Sequence, residues 1–212
     1  MSGSGNRWDD RYAGESYLFG EAPNAFLASQ RDRLKPGWRA LAVADGEGRN
    51  GVWLAEQGLL VESVDGSVVA QSKAKKLAAA RGVSITCTLA DLSQWSWPQG
   101  TFDLVVGIFI QFASPTLRGE LFQAMKRALK PGGILMLEGY RPEQLRYGTG
   151  GPSAIENLYT ETMLREAFSD LEILELGSHD SMINEGTGHS RMSALIDLVA
   201  RQHSDGPSNT PA

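Results

Sequence analysis

The sequence predicts an α/β fold of three layers, in which a mostly parallel, seven-stranded sheet ends in a C-terminal antiparallel hairpin. From residue 39 onward, short apolar runs alternate with longer segments of helical period, which is typical of parallel strands joined by crossover helices. Only about ten polar residues separate the last two apolar runs, too few for a helical crossover, so we expect these two to pair antiparallel. Together these features indicate a Rossmann-like architecture.

The predicted elements follow one another in a regular order. A helical segment over Pro23–Leu34 comes first, and helices then follow the first, second and fourth of the apolar runs RALAVA, LLVESVD, VSITCTL and FDLVVGIFI. The helix PTLRGELFQAMKRALK reaches the fifth run, GILMLEGY, through a predicted turn at Lys130-Pro131-Gly132-Gly133, because Pro and Gly end helices. After a polar connection, a helix near Thr160–Phe168 leads to the hairpin runs LEILELGSHD and RMSALIDLVARQ.

The length and composition favour one domain. A chain of 212 residues with 42% hydrophobic residues is able to bury one sizeable core. We expect a single domain over residues 1–203, with residues 1–35 forming an N-terminal helical cap segment. Residues 204–212, SDGPSNTPA, have the composition of a disordered tail.

The composition also argues against several partners and locations. The net charge is -5 and no basic stripe is present, so we expect no nucleic-acid partner. The N-terminus lacks the apolar core of a signal peptide and no apolar run approaches the length of a membrane span, so we expect no membrane partner. With Cys87 as the only cysteine, the sequence predicts a protein of the reducing cytoplasm.

The loop after the first strand carries the main functional signal. The stretch VADGEGRNG contains Gly46, Gly48 and Gly51 in the spacing G-x-G-x-x-G, and such a loop lies where open α/β sheets bind ligands. Asp65 ends the second strand nineteen residues after Gly46, a spacing at which a carboxylate accepts hydrogen bonds from ribose hydroxyls. These features suit NAD and an adenosyl ligand equally.

The charges of the loop favour a cationic ligand. Asp45 and Glu47 would place two carboxylates beside a pyrophosphate, and at about 4 Å and an effective dielectric near 20 each like-charge pair costs roughly 4 kcal/mol. S-adenosylmethionine instead carries an ammonium and a sulfonium, for which these acids are favourable or neutral. Asp91, just after the third strand, is placed to accept from the exocyclic amine of adenine.

From about Arg7 to Gln202, the chain resembles the class I S-adenosylmethionine-dependent methyltransferases, and among them the small tellurite-resistance and thiopurine methyltransferase-like group. The resemblance rests on the ordered motifs DGEGRN, Asp65, LADL, FDLVV and LKPGG and on the closing antiparallel pair. It implies the Rossmann-like methyltransferase fold and S-adenosylmethionine as cofactor. The cofactor-binding residues it suggests are Asp45, Gly46, Glu47, Gly48, Arg49, Asn50, Asp65, Gly66, Asp91, Leu92 and Phe109.

The glycine loop departs from the pattern of this family at one point. Family members commonly have an acid in the first strand and a further glycine before the loop, whereas Ala42 and Ala44 stand at these positions. Asp45 or Glu47 is therefore expected to contact the methionine ammonium, and the sequence leaves the choice between them open.

Residues after the fourth and fifth strands are expected to form the acceptor pocket, because the methyl group and its acceptor meet there in this fold. The candidates are Gln111, Tyr140, Tyr147 and, as a base or hydrogen-bond donor, His189. The long connection after the fifth strand is a candidate substrate lid. His179 and His189 lack a third ligand in a metal-binding pattern, so we expect no metal site.

Structural alternatives accompany several of these assignments. Asp65 and Asp91 are also suited to cap turns or helices, and Arg49 and Asn50 to support the loop. Cys87 has the setting of a small buried apolar side chain.

The sequence as a whole predicts a methyltransferase acting on a small-molecule acceptor, such as a thiol or a chalcogen oxyanion, which needs little or no general base. An NAD-dependent oxidoreductase and a non-catalytic S-adenosylmethionine-binding protein are the alternatives. The oligomeric state and the identity of the acceptor do not follow from the sequence.

Overall fold

The computed structural model describes residues 4–204, except for the side chains of residues 4–7 and His189. All but the first residue of the predicted tail lies outside the described residues. The strands are β1 (Arg39–Val43), β2 (Leu60–Asp65), β3 (Thr86–Leu89), β4 (Phe102–Ile108), β5 (Leu129–Tyr140), β6 (Glu172–Glu185) and β7 (His189–Arg201). The helices are α1 (Ser4–Tyr12), α2 (Ala25–Ser29), α3 (Arg49–Glu56), α4 (Val68–Ala80), α5 (Pro115–Ala128), α6 (Gln144–Tyr147) and α7 (Glu161–Ala167).

The seven strands form one sheet in the order β3-β2-β1-β4-β5-β7-β6. Strands β1 to β5 are parallel, whereas β7 pairs antiparallel with both β5 and β6. The predicted fold class is therefore confirmed. The strand order reverses between β1 and β4, and the crevice at the carboxyl ends of these two strands is where such sheets bind ligands.

The two faces of the sheet bury separate apolar layers. Leu41 and Val105 pack with side chains of α5 and α7, among them Phe122. Ala40 and Leu104, their neighbours along β1 and β4, point to the other face and pack with Leu27 and Leu54 of α2 and α3. This alternation follows from the two-residue period of a strand, and it produces the three layers.

The hairpin extends further than its apolar runs indicated, and one local prediction was wrong. The polar residues between the last two apolar runs mostly belong to β6 and β7, which pair with each other as far as Glu185 and His189, so only residues 186–188 connect them. Apolar periodicity does not mark this part of the hairpin because its side chains are mostly exposed or half-buried. The predicted turn at Lys130-Pro131-Gly132-Gly133 lies inside β5, as an irregularity between the pairs Phe102–Leu129 and Leu104–Ile134.

Side-chain caps fix where the helices begin. The Ser67 hydroxyl accepts from the Ala70 N–H at the start of α4, and the Asn24 side-chain oxygen Oδ1 accepts from the Leu27 N–H at the start of α2. Helix α3 differs, because its N-cap is Gly48 in the left-handed region at φ 87°. Within residues 4–204, no helix is both long and apolar enough to cross a bilayer.

Replacing Gly48 by alanine is expected to lower the free energy of unfolding by at least about 2 kcal/mol, measured by urea denaturation. A Cβ at Gly48 would lie 2.6 Å from the Cβ of Ala74 in α4, and the positive φ adds strain. The control is Gly119→Ala in α5, where a Cβ meets nothing within 4 Å and helix propensity favours alanine by about 0.5–1 kcal/mol. Equal effects of the two substitutions would contradict the close packing of α3 against α4.

Candidate functional site

A cavity of about 780 Å³ lies at the carboxyl ends of β1, β2 and β4. Its floor comes from the loops that follow these strands, and its sides come from α1, from the connection after β5 and from the tip of the β6–β7 hairpin. The residues that line the cavity include Trp8, Arg11, Tyr12, Phe19, Ala44, Asp45, Gly46, Arg49, Asn50, Asp65, Gly66, Asp91, Leu92, Phe109, Gln111, Phe112, Leu117, Tyr140, residues 150–154 and Gly188. A volume of this size suits a cofactor together with a small second molecule.

The glycine loop is held in shape by the side chain at the end of the next strand. The Gly46 N–H donates to Asp65 Oδ2 at 2.8 Å, and the Ser67 N–H donates to Asp65 Oδ1 at 2.8 Å. Gly46 has φ 57°, and a Cβ there would lie 2.8 Å from the Tyr12 hydroxyl. One carboxylate therefore fixes two neighbouring loops, and only glycine fits between it and Tyr12.

Backbone strain concentrates at this cavity. Ala44 at φ 49° and Phe109 at φ 55° are two of the three non-glycine residues with positive φ in the described part of the chain, and both line the cavity. Such conformations cost on the order of 1–3 kcal/mol each and persist at functional sites that the surrounding fold over-determines.

The two acids of the glycine loop differ in their position, because Asp45 lines the cavity and Glu47 does not. Asp45 accepts from the Ser63 hydroxyl at 2.9 Å and from the Gly51 N–H at 3.2 Å, and burial raises the pKa of its carboxyl to about 7. Glu47 is buried away from the cavity, where it pairs with Lys73 Nζ at 2.8 Å and accepts from the Leu18 N–H at 2.7 Å. The loop is therefore less negative towards a ligand than its sequence indicated.

Arg49 and Asn50, at the start of α3, both line the cavity and also support it. The Arg49 guanidinium donates to Glu185 Oε2 at 2.7 Å, and both side chains are about 8% exposed. The Asn50 side-chain oxygen accepts from the Asn24 N–H at 2.9 Å. The supporting role that the sequence offered as an alternative is thus present, while Gly48 packs on α4 and does not line the cavity.

The loops after β2 and β3 contribute one further acid. Gly66, Asp91 and Leu92 line the cavity, as expected from their strand-end positions. Asp91 Oδ1 accepts from both the N–H and the hydroxyl of Ser93, so this side chain caps a turn at the same place.

The predicted acceptor residues separate in the structure. Tyr140 lines the cavity and stacks on Phe109 with ring centroids 4.6 Å apart, and burial raises the pKa of its hydroxyl. Tyr147 is 38% exposed, lies outside the cavity and donates to Asp180 at 2.8 Å. His189 begins β7, but its side chain lies outside the described part, so its role stays a prediction.

The amide of Gln111 serves the fold. Its Nε2 donates to the carbonyl oxygens of Tyr140 and Asn157, and its Oε1 accepts from the Tyr140 N–H at 2.6 Å. Because both donors and the acceptor are used, Gln111 positions the end of β5 at the cavity wall and offers little to an acceptor.

A buried acidic cluster lies behind the cavity. Glu138 and Asp197 stand opposite each other on β5 and β7, and His179 Nε2 lies 2.9 Å from Asp197 Oδ2. Asn24 Nδ2 donates to Glu138 at 2.6 Å, and burial together with the charge of Asp197 raises the pKa of Glu138 well above its usual range. Glu138, His179 and Asp197 bring three potential ligand atoms within 4.8 Å of one another, so His179 does have the neighbouring carboxyls that the sequence spacing did not indicate. The hydrogen bond between the two facing carboxyls requires that one of them be protonated.

The roof of the cavity contains three residues, Trp8, Arg11 and Gly188, that sequence reasoning did not assign to a site. Trp8 and Arg11 line it from the N-terminal segment together with Phe19, and Gly188 lines it from the hairpin tip. The Gly188 N–H donates to the Leu18 carbonyl at 2.9 Å, which joins the two parts of the roof. Their only sequence signal is the aromatic-rich stretch before α2. Residues 150–154 line the cavity as well, as the lid hypothesis for this connection expected.

Comparison with known proteins adds a family match over less than half of the chain. Residues 40–133 match a family model described as methyltransferase domain. No curated protein sequence matches the chain.

Solved structures with similar architecture have low sequence identity. A protein studied for the conversion of a disulfide bond into a thioacetal group during echinomycin biosynthesis aligns over 96% of this chain and 93% of its own, with 20% identity and a TM-score of 0.77. TehB from Haemophilus influenzae aligns over 93% and 66%, with 16% identity and a TM-score of 0.69. Magnesium protoporphyrin IX methyltransferase from Synechocystis PCC 6803, with bound S-adenosylhomocysteine, aligns over 94% and 94%, with 18% identity and a TM-score of 0.65.

These likenesses show the fold, and the matched domain carries the functional information. The matched domain supports a methyltransferase, and the solved structures add that the chain has the fold of one such enzyme that was crystallised with S-adenosylhomocysteine. They do not favour an NAD-dependent oxidoreductase or a non-catalytic binding protein.

The raised pKa of Asp45 predicts a specific pH dependence of stability. A folded pKa of about 7 against an ordinary 3.8 means that the native state binds this proton more tightly than the unfolded state. The free energy of unfolding should therefore fall as the pH rises from about 4 to about 7, and stay level above that. In Asp45→Asn, which keeps an acceptor for Gly51 and a group for Ser63, we expect the loss between about pH 5 and pH 8 to be smaller by about 2 kcal/mol.

The measurement is urea denaturation across this pH range, with Asp32→Asn as control because Asp32 is exposed. Wild type and Asp45→Asn losing stability in parallel would show that Asp45 ionises normally in the folded protein.

Proposed function

We propose that this protein transfers the methyl group of S-adenosylmethionine to a small-molecule acceptor whose nucleophile is a thiol or a chalcogen oxyanion. The observation that carries this proposal is the makeup of the acceptor side of the cavity. It is built from aromatic rings and from a glutamine whose amide is fully used. We place both molecules in one cavity of a single domain over residues 1–203, with no separate recognition domain. Cytoplasmic location is part of the same proposal.

The cofactor end of the cavity fits a nucleoside. Asp65 lies at the cavity floor with each carboxylate oxygen accepting one backbone N–H, which leaves acceptor capacity for ribose hydroxyls. Burial raises the pKa of Asp65, so hydrogen bonds from a ligand would stabilise its charged form. Asp91 faces the same cavity from the next strand end, where it is placed to accept from the adenine amine. Arg49 Nη1, buried and without a partner among the described residues, offers a donor nearby.

The acceptor end is apolar and aromatic. Phe109, Phe112, Leu117 and Tyr140 line it, together with residues 150–154. Among the described side chains on this side, none is a free carboxylate, lysine or histidine. The raised pKa of Tyr140 keeps its hydroxyl protonated, so it donates hydrogen bonds and does not act as a base. The chemistry therefore requires an acceptor that already carries a reactive electron pair.

The residues of the chain contribute position and shielding to the transfer. When bound, S-adenosylmethionine supplies an electrophilic methyl group on a sulfonium. The stacked rings of Phe109 and Tyr140 exclude water and favour a nearby cation by about 0.5–2 kcal/mol. Holding the acceptor at attack distance removes about 7 to 11 kcal/mol of the barrier in favourable cases. A thiolate sulfur then forms the new carbon–sulfur bond as the sulfonium bond breaks and its electron pair stays on the leaving sulfur.

One of the compared structures is consistent with a sulfur acceptor. It is described by conversion of a disulfide bond into a thioacetal group, which is chemistry at sulfur. A likeness at 20% identity establishes the fold, so the acceptor class rests on the cavity itself. The net charge of -5 adds that a nucleic-acid acceptor is disfavoured.

Replacing Asp65 by alanine is expected to weaken S-adenosylhomocysteine binding by about 1–3 kcal/mol in calorimetric titration, the loss expected when bound hydroxyls lose their acceptor. Because Asp65 also shapes the loop, the titration is repeated with the 2′,3′-dideoxy analogue of the ligand. The penalty should largely disappear for the analogue, which lacks the hydroxyls. Asp170→Ala is the control, because Asp170 lies outside the cavity and its side chain is 61% exposed. An equal penalty for both ligands would assign Asp65 to loop support alone.

Because the described side chains at the acceptor end include no base, we expect the pH dependence of kcat/KM to follow the pKa of the acceptor. For a series of small thiols with different pKa values, kcat/KM should rise about tenfold per pH unit and level off at the pKa of each thiol, because the thiolate is the nucleophile. The measurement is formation of S-adenosylhomocysteine. An inflection at one fixed pH for every thiol would instead identify a base on the protein and contradict the proposed mechanism.

A further inference from the structure

The N-terminal segment brings a charged residue to the roof of the cavity. Helix α1 is fastened to the rest of the fold by Asp9, which accepts from the Ser67 hydroxyl, and by the buried ring of Tyr12 against Gly46. Arg11 lies in the last turn of α1, between these anchors, and lines the cavity. Its position is therefore determined by the fold.

Aromatic rings, and no acid, hold this arginine. The Arg11 guanidinium lies 4.6 Å from the ring centroid of Trp8, three residues earlier on the same helix, and 5.9 Å from that of Phe19. Within residues 4–204 it makes no ion pair. Stacking on a ring uses the face of the guanidinium and leaves the N–H groups at its edge free to donate.

Arg11 differs in this respect from the other arginine of the cavity. The charge of Arg49 is balanced by Glu185 at 2.7 Å, in a pair that is almost fully buried. Arg11 is exposed and unbalanced, in a protein whose net charge is -5. The N–H groups at the edge of such a guanidinium are able to bind a carboxylate through two parallel hydrogen bonds.

We propose that Arg11 is the anion-binding residue of the cavity and that it binds a carboxylate of the molecules that enter it. The proposal rests on the function proposed above, which supplies two sources for this group. One source is the carboxylate of the methionine part of S-adenosylmethionine, and the other is an acidic group of the methyl acceptor. Either group would be an anion near the roof of the cavity, and binding measurements with different ligands distinguish the two.

The test compares ligands with and without the part that carries the carboxylate. Wild type and Arg11→Gln are titrated with S-adenosylhomocysteine and with 5′-methylthioadenosine, which keeps the nucleoside and the sulfur but lacks the amino acid. A second titration, with S-adenosylhomocysteine already bound, uses 3-mercaptopropionate and the uncharged 1-propanethiol. Arg127→Gln is the matched control, because Arg127 is an exposed arginine in the last turn of α5.

We expect one carboxylate ligand to lose at least about tenfold in affinity in Arg11→Gln, and its uncharged counterpart to bind as before. Loss for S-adenosylhomocysteine assigns the methionine carboxylate, and loss for 3-mercaptopropionate assigns the acceptor. Unchanged affinities throughout, or equal losses for the charged and uncharged members of a pair, would overturn the proposal and leave Arg11 a packing residue. Failure of the wild type to bind either adenosyl ligand would be a different result, since it removes the proposed function itself.

Discussion

The geometry of the cavity depends on one carboxylate. Asp65 ends β2 beside β1, and its two oxygens accept from the N–H groups of Gly46 and Ser67. This side chain therefore fixes the positions of both the glycine loop after β1 and the start of α4. The Tyr12 hydroxyl packs against Gly46 on the side of the N-terminal segment. The same carboxylate faces the cavity, so the group that shapes the site is also the group that we propose as the acceptor for the ribose hydroxyls.

The charges around the cavity follow from burial more than from sequence proximity. Of the two acids of the glycine loop, Glu47 lies outside the cavity and is balanced by Lys73. Asp45 lines the cavity, but its carboxyl accepts hydrogen bonds from Ser63 and Gly51. The cavity therefore presents the carboxylates of Asp65 and Asp91 at its proposed nucleoside end, and the rings of Phe109 and Tyr140 at its proposed acceptor end. This separation suits a ligand that is polar at one end and reacts at a sulfonium at the other, and it leaves the acceptor to supply its own nucleophile.

Much of this fold is predictable from the sequence, because apolar runs alternating with helical segments allow few arrangements. The strand-end positions of Asp65 and Asp91 follow from the same pattern. The direction of the Glu47 carboxylate does not, because Lys73 is brought to it only when α4 packs. Arg11 gave no signal because one short helix has no clear periodicity. The hydrogen bonds of Gln111 could not be predicted because its partners lie 29 and 46 residues away along the chain.

The most direct test of the account is a crystal structure of the protein with S-adenosylhomocysteine. We predict that the ribose hydroxyls lie within hydrogen-bond distance of the Asp65 carboxylate and that the ligand sulfur faces the stacked rings of Phe109 and Tyr140. A ligand whose ribose lies away from Asp65, or whose sulfur points away from those rings, would contradict it.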